Sequence, residues 1–318
     1  MQVAESRQLE SATVRAGRLR PTIRSAELLR VQRRVARATI LIPSVLSVIA
    51  IATIPILGFG SLALSLLLVL HVLTMLGITV GYHRHFAHRA FKCRDSVSVL
   101  LGILGGMAAQ GPLIHWVSTH RRHHEFSDLP GDPHSPNLGE NLGIVRRFWH
   151  AHIGWMLTDE VTNPARYARD LLRDPLVRKI NRLYLLWVGL GLALPALIGG
   201  LWAGTWVGAV QGFLWGGVVR IVLVHHSTWA INSITHLFGS RPHATSENSR
   251  NNPWLVVPSA GEAWHNNHHA FPSSARFGLE WWQLDLGWLA IRFLESLRLA
   301  WDVNTAAPRA ATDPSSST

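Results

Sequence analysis

Nine of the eighteen histidines in this chain fall into four short groups whose spacing suits a shared metal site. The groups are HRHFAH, HRRHH, NSITH and HNNHH. Apart from His85, which lies out of register inside the first group, their histidines are His83, His88, His120, His123, His124, His236, His265, His268 and His269. Residues three and four apart share a helix face, so each HxxHH group is expected to direct three imidazoles to one point.

The first group has a different spacing. His83 and His88 are five residues apart, which leaves them about 140° apart around an α-helix. They can reach one centre only if the helix frays or if the metals lie between them. Asn232 and His236 in the third group are four residues apart and are expected to face one way.

Metal binding is the simplest account of these groups. A polar helix face would explain one HxxHH group, but the repetition argues against it. Neutral imidazole is the commonest metal ligand, it suits zinc, copper, iron and nickel, and nine ligands are enough for two ions. Structural zinc usually recruits thiolates, and the chain has only Cys93. Soluble di-iron carboxylate proteins use two Glu-x-x-His motifs, of which the sequence has one, at Glu262. We predict a two-metal site, with iron favoured if the chemistry uses oxygen.

Long apolar stretches place this site in a membrane protein. Hydrophobic residues make up 48% of the chain and charged residues 15%. Four stretches have about the twenty residues that a helix needs to cross a bilayer, and short loops join them in two hairpins. They lie at about 38–57, 61–80, 183–203 and 205–225. Arg220 is expected near the end of the last one, where it can snorkel or line a cavity. A fifth stretch, about 97–114, is rich in glycine and is read as a helix in or along the membrane.

Basic residues orient the chain. They precede the first stretch and fill the segment between the hairpins, whereas the hairpin loops hold none. By the positive-inside rule, both termini and the histidine groups face the cytoplasm. Topology and anionic lipid heads account for the net charge of +11, and no segment resembles a nucleic-acid-binding module.

The expected organisation has three parts. They are a disordered basic arm over 1–30, a membrane domain over 31–304 and a disordered tail over 305–318. Since Lys92 and Lys179 are the only lysines among thirty basic residues, we expect a GC-rich bacterial genome and hence the bacterial plasma membrane.

The order of the motifs resembles that of the membrane fatty-acyl desaturases, most closely the acyl-CoA Δ9 (stearoyl-CoA) type. It runs HRHFAH, WVSTHRRHHEFSD with DPH, NSITHLFG and GEAWHNNHHAFP, and the similarity covers about residues 40–302. The resemblance implies an all-α membrane fold, with four transmembrane helices in two hairpins and a cytoplasmic helical cap that holds a di-metal site. It implies two iron ions and O2 as co-substrate. The product would be a cis double bond, Δ9 by family branch, in a long saturated acyl chain.

The resemblance also implies roles for single residues. The nine histidines would ligate the irons, and Asn232 would reach one metal through water. Gln110, Trp116 and Thr228 match the residues around the bend of a substrate tunnel. From their chemistry alone, Glu262 and Asp132 are expected to accept the second N–H of ligating imidazoles. His225 and His226 are read as a polar helix end, with a role near the substrate as the alternative.

Each turnover needs two electrons, and these must come from another protein. The sequence has no GxGxxG fingerprint, no cysteine cluster and no segment like a cytochrome b5 domain. We expect a ferredoxin, cytochrome or flavoprotein reductase to dock on a basic face, although anionic CoA or lipid heads would use the same charge. Candidate basic residues are Arg121, Arg122, Arg146 and Arg147.

The carrier and the reaction type leave alternatives. The loop SDLPGDPHSPNLGENLG departs from the family's usual wording, so acyl-CoA, acyl carrier protein and phospholipid stay open as carriers, in that order. A membrane hydroxylase of fatty-acyl or alkyl chains would use the same metal chemistry, and a non-catalytic membrane metal-binding protein would use none. The wording HLFG and HNNHHAFP favours desaturation. Clustering of the histidines at one face argues against a metal carrier.

Overall fold

The computed structural model describes residues 19–23, 25–138 and 142–305. Most of the predicted N-terminal arm and almost all of the predicted tail therefore lie outside the described residues. Within the arm, Thr22–Ile23 forms a short strand, and the first helix begins at Ala26, where the Ser25 hydroxyl accepts a hydrogen bond from Leu28 N–H. The first helix thus begins within the segment predicted as the arm.

The described chain is mainly helical, which confirms the predicted fold class. Its helices are, in order, α1 Ala26–Ala52, α2 Ile54–Leu57, α3 Ser61–Ala87, α4 Asp95–Met107, α5 Leu113–Phe126, α6 Ile144–His152, α7 Pro164–Tyr167, α8 Arg169–Arg173, α9 Pro175–Arg182, α10 Tyr184–Ala203, α11 Trp206–His236, α12 His265–Ala270 and α13 Leu286–Ser296. Helices α1, α3, α10 and α11 are long and apolar enough to cross a membrane. Single 3₁₀ turns lie at Gly154–Leu157 and Pro253–Leu255.

The first hairpin differs from its predicted bounds at both ends. Helix α1 starts well before residue 38, because its first turns are amphipathic and an apolar window does not detect them. It ends at Ala52 rather than at residue 57. Pro55 in the next turn has no N–H with which to continue the helical ladder. Gly58 then reverses the chain with φ +73°.

Helices α3 and α11 extend beyond the apolar stretches that predicted them. Each contains a π-helical segment, over Gly77–Ala87 in α3 and over Gly212–Val219 in α11. The ends of the two helices carry His83 and His236. The same helices that span the apolar region therefore also position metal-ligand candidates.

The fifth apolar stretch forms two helices rather than one. Helix α4 has 13 residues, a length of about 20 Å that cannot cross a hydrocarbon core of about 30 Å. The chain turns at Ala109 and Gly111, both at positive φ, and Pro112 precedes α5. Helix α5 carries HRRHH.

Arg220 does not snorkel, contrary to the expectation from the sequence. Its side chain is fully buried. It donates hydrogen bonds to the carbonyl oxygens of Gly216, Met107 and Gly191. A position in the middle of α11, away from its polar end, leaves the guanidinium no path to water, so backbone carbonyls satisfy it.

The remaining segments form a cap over one end of the four long helices. Two short antiparallel sheets tie the cap together: β1 Thr22–Ile23 pairs with β3 Val161–Thr162, and β2 Lys92–Cys93 pairs with β4 Ala300–Trp301. A buried cluster that includes Met75, Ile78 and Val224 joins the long helices to the cap. The histidine groups lie where the cap meets α3 and α11.

Candidate metal centre

The structure gathers the nine predicted histidines into two adjacent clusters. Cluster A consists of His83, His88, His120, His124 and His268. Cluster B consists of His123, His236, His265 and His269. Within each cluster the candidate ligand atoms lie within 4.8 Å of one another, so each cluster has the donor number for one ion with open positions.

All nine imidazoles direct Nε2 to the interior of the clusters. Neighbouring Nε2 atoms lie 2.7 to 3.4 Å apart. A neutral imidazole has only one N–H, so these contacts cannot all be hydrogen bonds. Two nitrogens bound at right angles about 2.1 Å from one ion would lie about 3 Å apart. The spacing therefore fits two metal ions.

Burial favours the neutral form of five of these imidazoles, the form that can donate a lone pair to a metal. It holds the pKa of His120, His124, His265, His268 and His269 well below the ordinary value, and the neighbouring imidazoles lower each pKa further. His123 differs: burial lowers its pKa, but the Asp132 carboxylate outweighs that effect and raises it. A bound cation would favour the neutral form at every one of these positions.

A π-helix solves the spacing problem of the first histidine group. The His88 N–H donates to the His83 carbonyl at 3.0 Å, an i to i+5 bond that places the two residues one above the other. Their rings lie 4.9 Å apart, and both belong to cluster A. The helix widens here rather than fraying, which α-helical spacing did not predict.

Neither HxxHH group sends all three imidazoles to one point. His120 and His124 belong to cluster A, whereas His123 belongs to cluster B. His265 and His269 belong to cluster B, whereas His268 belongs to cluster A. In both groups the i, i+4 pair stays together and the i+3 residue crosses over. Around an α-helix, residue i+3 lies about 60° to one side of residue i and residue i+4 about 40° to the other side, so two adjacent centres can divide one motif.

Carboxylates hydrogen-bond to the outer nitrogens of three imidazoles, and a fourth carboxylate lies near another. His83 Nδ1 donates to Glu262 at 2.5 Å, and His123 Nδ1 lies 3.0 Å from both Asp132 oxygens. These are the two acidic residues named from the sequence. Such contacts fix the ring and its tautomer with Nε2 free for a metal.

Two further carboxylates were missed by the sequence reasoning. Asp128 lies 3.1 Å from His236 Nδ1, and Glu247 lies 3.7 Å from His269 Nδ1. Despite its burial, the pKa of Asp128 falls below its usual range because His236 hydrogen-bonds to it. No spacing rule links Glu247 to the motif that follows it, although the FSD step after HRRHH was a signal for Asp128.

The predicted tunnel residues form a hydrogen-bonded triad beside cluster A. The Gln110 amide donates to Thr228 Oγ1 at 2.5 Å, and Trp116 Nε1 donates to Gln110 Oε1 at 3.2 Å. The Trp116 ring stacks on His120, with 5.2 Å between centroids and 18° between planes. A path of direct contacts thus joins the triad to the metal cluster. Asn232 is half-buried one turn before His236 and makes no direct hydrogen bond to a described histidine.

A cavity of about 810 Å³ opens onto both clusters from the cap. Its lining includes His88 and His124 of cluster A and His269 of cluster B, with Glu125 and Glu247 beside them. The cavity gives small molecules a polar route from solvent to the imidazoles.

Two of the predicted docking arginines are not available to a partner. Arg121 donates to the carbonyls of Phe86 and Ala87 and to Asp170, and Arg122 is 3% exposed and bonds to Glu160. A charge in the middle of a buried helix must be paired inside the protein. Arg147 is half-buried and donates hydrogen bonds to Pro136 and Asn137. Of the four arginines, only Arg146 is exposed.

Comparisons with known proteins agree with this geometry. The family model described as "Fatty acid desaturase" matches residues 59–296. A "Hex-5-enoyl-[acyl-carrier protein] acetylenase" of Moorena producens is 51% identical over 82% of this chain and 83% of that protein. An "sn-1 stearoyl-lipid 9-desaturase" of Synechocystis sp. is 41% identical over 77% of this chain and 73% of that protein. An "Acyl-CoA C20 Delta5-desaturase" of Anemone leveillei is 38% identical over 71% of this chain and 69% of that protein.

The family match covers most of the chain, including the four histidine groups. The relatives are 38 to 51% identical to the chain, which is a closer similarity than a shared fold alone. Together with four apolar helices and histidine clusters that could hold metal, it confirms the resemblance seen in the sequence. The chain belongs to the fatty acid desaturase family and is a membrane oxidoreductase of that family.

Proposed function

We propose that this enzyme removes two hydrogens from adjacent methylenes of a long saturated acyl chain and leaves a cis double bond, with Δ9 as the position. The overall reaction takes the acyl chain, O2, two electrons and two protons to the unsaturated chain and two waters. The observation that carries the proposal is the convergence of nine Nε2 atoms in two clusters at the ends of two membrane-spanning helices.

The nine histidines would hold two iron ions, with Asn232 reaching one of them through water. Bound there, the irons would supply the activation of O2 that breaking an aliphatic C–H bond requires. The protein's part is geometry. Carboxylates at Glu262, Asp132 and Asp128 hold three rings with Nε2 inward, and neutral ligands leave the ions their full positive charge.

Gln110, Trp116 and Thr228 would line the bend of the acyl tunnel. Their hydrogen bonds fix the bend, and the stacking of Trp116 on His120 fixes its distance from cluster A. The carbon pair that lies at the bend would be the pair presented to the metals. The position of the double bond then depends on the chain length between the carrier and this triad.

The carrier we propose is a thioester, with acyl-CoA as the first choice and acyl carrier protein as the second. Two of the three relatives named above bear names with a thioester carrier, one with CoA and one with acyl carrier protein. The relative from Synechocystis is named for a lipid substrate. CoA and acyl carrier protein both present the chain on a phosphopantetheine arm, so one entrance would serve both.

A second candidate substrate has support from one relative. The protein from Moorena producens is named as an acetylenase of an enoyl chain, a reaction that removes two more hydrogens at an existing double bond. The same atoms and electrons balance for that step. An enoyl thioester therefore belongs beside the saturated chain in any assay.

Location and electron supply follow from the charge pattern. We place the enzyme in the bacterial plasma membrane, with both termini and the histidine clusters at the cytoplasmic face. An external ferredoxin, cytochrome or flavoprotein reductase would deliver two electrons near the cap. Of the four candidate docking arginines, Arg146 is the one exposed to solvent.

The test is gas chromatography with mass spectrometry of total fatty acids from a host without an aerobic desaturase, supplied with a compatible reductase. We expect new, oxygen-dependent monounsaturated chains with the wild type. They should disappear with His268→Ala, which removes a cluster A imidazole, and persist with His85→Ala. His85 lies in the HRHFAH group but bonds to Ser98 outside the clusters.

Other products would change the assignment. Hydroxy acids would identify the hydroxylase alternative, and triple bonds from an enoyl feed would identify the second candidate substrate. If protein that holds two irons accepts electrons from the reductase and yields no product from any feed, the non-catalytic alternative is supported.

A further inference from the structure

The turn between α4 and α5 is held in a costly conformation. Ala109 has φ +59° and Gly111 has φ +103°. Positive φ is uncommon for a residue other than glycine and persists only where the surroundings enforce it. The turn carries Gln110, the centre of the triad beside cluster A. Whatever fixes the turn therefore also fixes the triad.

Side chains from α11 grip the backbone of this turn. His225 is buried, and its Nε2 donates to the Ala109 carbonyl at 3.0 Å. Arg220 donates to the Met107 carbonyl at 2.6 Å. These carbonyls lie at and just beyond the last residue of α4, where the helix itself provides no donor and a cation is favourable. On the other side, the Gly111 N–H donates to the Tyr184 hydroxyl at 3.0 Å.

Arg220 joins three helices at this point. Besides Met107 at the end of α4, it reaches Gly191 of α10 at 2.8 Å and Gly216 of α11 at 3.1 Å. Glycine at position 191 leaves room for this contact, because a Cβ there would lie 3.0 Å from Arg220 Nη2 and crowd it. The turn is thus tied to the two helices of the second hairpin rather than only to its own neighbours.

We propose that His225 and Arg220 are positioning residues that set which carbon pair of the acyl chain is desaturated. They hold the Met107–Gly111 turn, the turn places Gln110, and Gln110 connects Thr228 on α11 to Trp116 on the face of His120. A shift of the turn moves the bend relative to cluster A and leaves the nine imidazoles in place. This inference rests on the proposed desaturase function.

The test compares double-bond positions in the products of His225 variants. His225→Asn keeps a polar side chain but is too short to reach the Ala109 carbonyl, whereas His225→Gln can donate to it. The loss of one buried hydrogen bond corresponds to about a fivefold change in an equilibrium. We expect the ratio of displaced to native double bonds to rise about fivefold with His225→Asn and to return towards the wild-type ratio with His225→Gln.

The neighbouring residue provides a matched control. His226 bonds to His152 rather than to the turn, so His226→Ala should leave the isomer ratio at the wild-type value. Iron content is measured for every variant, since a displaced double bond with two irons bound separates positioning from loss of the metal site. Tyr184→Phe deletes only the hydroxyl that accepts from Gly111, and Arg220→Lys keeps the charge but loses the triple contact. Both should shift the ratio in the same direction.

Two results would overturn the inference. The first is an unchanged isomer ratio in His225→Asn and Tyr184→Phe, whether or not the yield falls, because the residues would then contribute stability alone. The second is an equal shift with His226→Ala, which would mean that the ratio responds to any change in α11. A wild type that makes no double bond would instead refute the proposed function, and this inference would fall with it.

Discussion

The substitution Glu262→Gln tests whether the outer carboxylates hold the metal site. The Glu262 side chain is buried, accepts a hydrogen bond from His83 Nδ1 at 2.5 Å and also bonds to the Thr79 hydroxyl. Glutamine has the same shape and can still accept from His83, but it removes the charge. The change therefore separates the electrostatic part of the contact from its geometry.

The structure sets the expected size of the effect. Loss of an outer-shell partner typically costs 10- to 100-fold in metal affinity, or about 1.4 to 2.7 kcal/mol. A hydrogen bond to a charged group is about twice as strong as a neutral one, so Glu262→Gln should lie near the lower end, at about tenfold. Glu247 is 3.7 Å from His269 Nδ1, beyond hydrogen-bond distance. Glu247→Gln should therefore cost less than about threefold.

The assay measures iron retained by purified protein in detergent after equilibration with increasing concentrations of a competing chelator, by mass spectrometry of the metal. Circular dichroism of each variant reports whether the fold is kept. An unchanged affinity in Glu262→Gln would refute the orienting role of the carboxylate. If Glu247→Gln loses as much iron affinity as Glu262→Gln, the shorter contact of Glu262 is not the stronger one.

Three other changes have defined outcomes. Gly77→Ala should prevent stable folding, because a Cβ would lie 2.3 Å from Gly105 N, whereas Gly189→Ala has open space; expression and size-exclusion profiles of the two variants check this. Burial lowers the pKa of His152 to about 4, so below pH 6.5 the unfolded chain takes up a proton that the folded chain does not. Between pH 7.5 and 5.5, the free energy of unfolding should therefore fall by about 1 kcal/mol more in the wild type than in His152→Phe. Thermal denaturation at the two pH values measures this difference. Arg146→Glu should raise KM for an acidic electron donor at low salt without changing the isomer ratio, and equal kinetics with both forms would exclude Arg146 from docking.

The sequence identified the components of the site better than their arrangement. All nine histidines could be named because motif repetition reveals residue type and count. Their division between two clusters could not be predicted, because the i, i+3, i+4 rule says which residues share a face of one helix and not how two centres beside that helix divide them. His123 and His268 cross to the cluster opposite their motif neighbours. That division depends on which imidazoles of α5 and α12 meet in the fold, His123 with His269 and His124 with His268.

Contacts between residues far apart in the sequence were also hard to predict. Asp132 lies close in sequence to the histidine that it holds, and its role was expected, whereas Glu247 reaches His269 from a loop with no periodicity. The arginines show that burial was also hard to predict from the sequence. Arg122 looked like a surface charge in HRRHH, but a helix in the middle of the cap has no solvent face at that position.

The π-helical segments show why register was the hardest feature to predict. Both helices that span the membrane and carry ligands, α3 and α11, widen at a glycine in close contact with another helix. Gly77 packs against Gly105, and a Cβ at Gly212 would lie 2.0 Å from the Pro195 carbonyl oxygen. Each π-bulge rotates everything that follows it, so α-helical counting assigns His83 and His88 to different faces. Close approach of the helices therefore sets the rotation that brings the imidazoles together, and tertiary packing, rather than local sequence, determines the phase of the metal site.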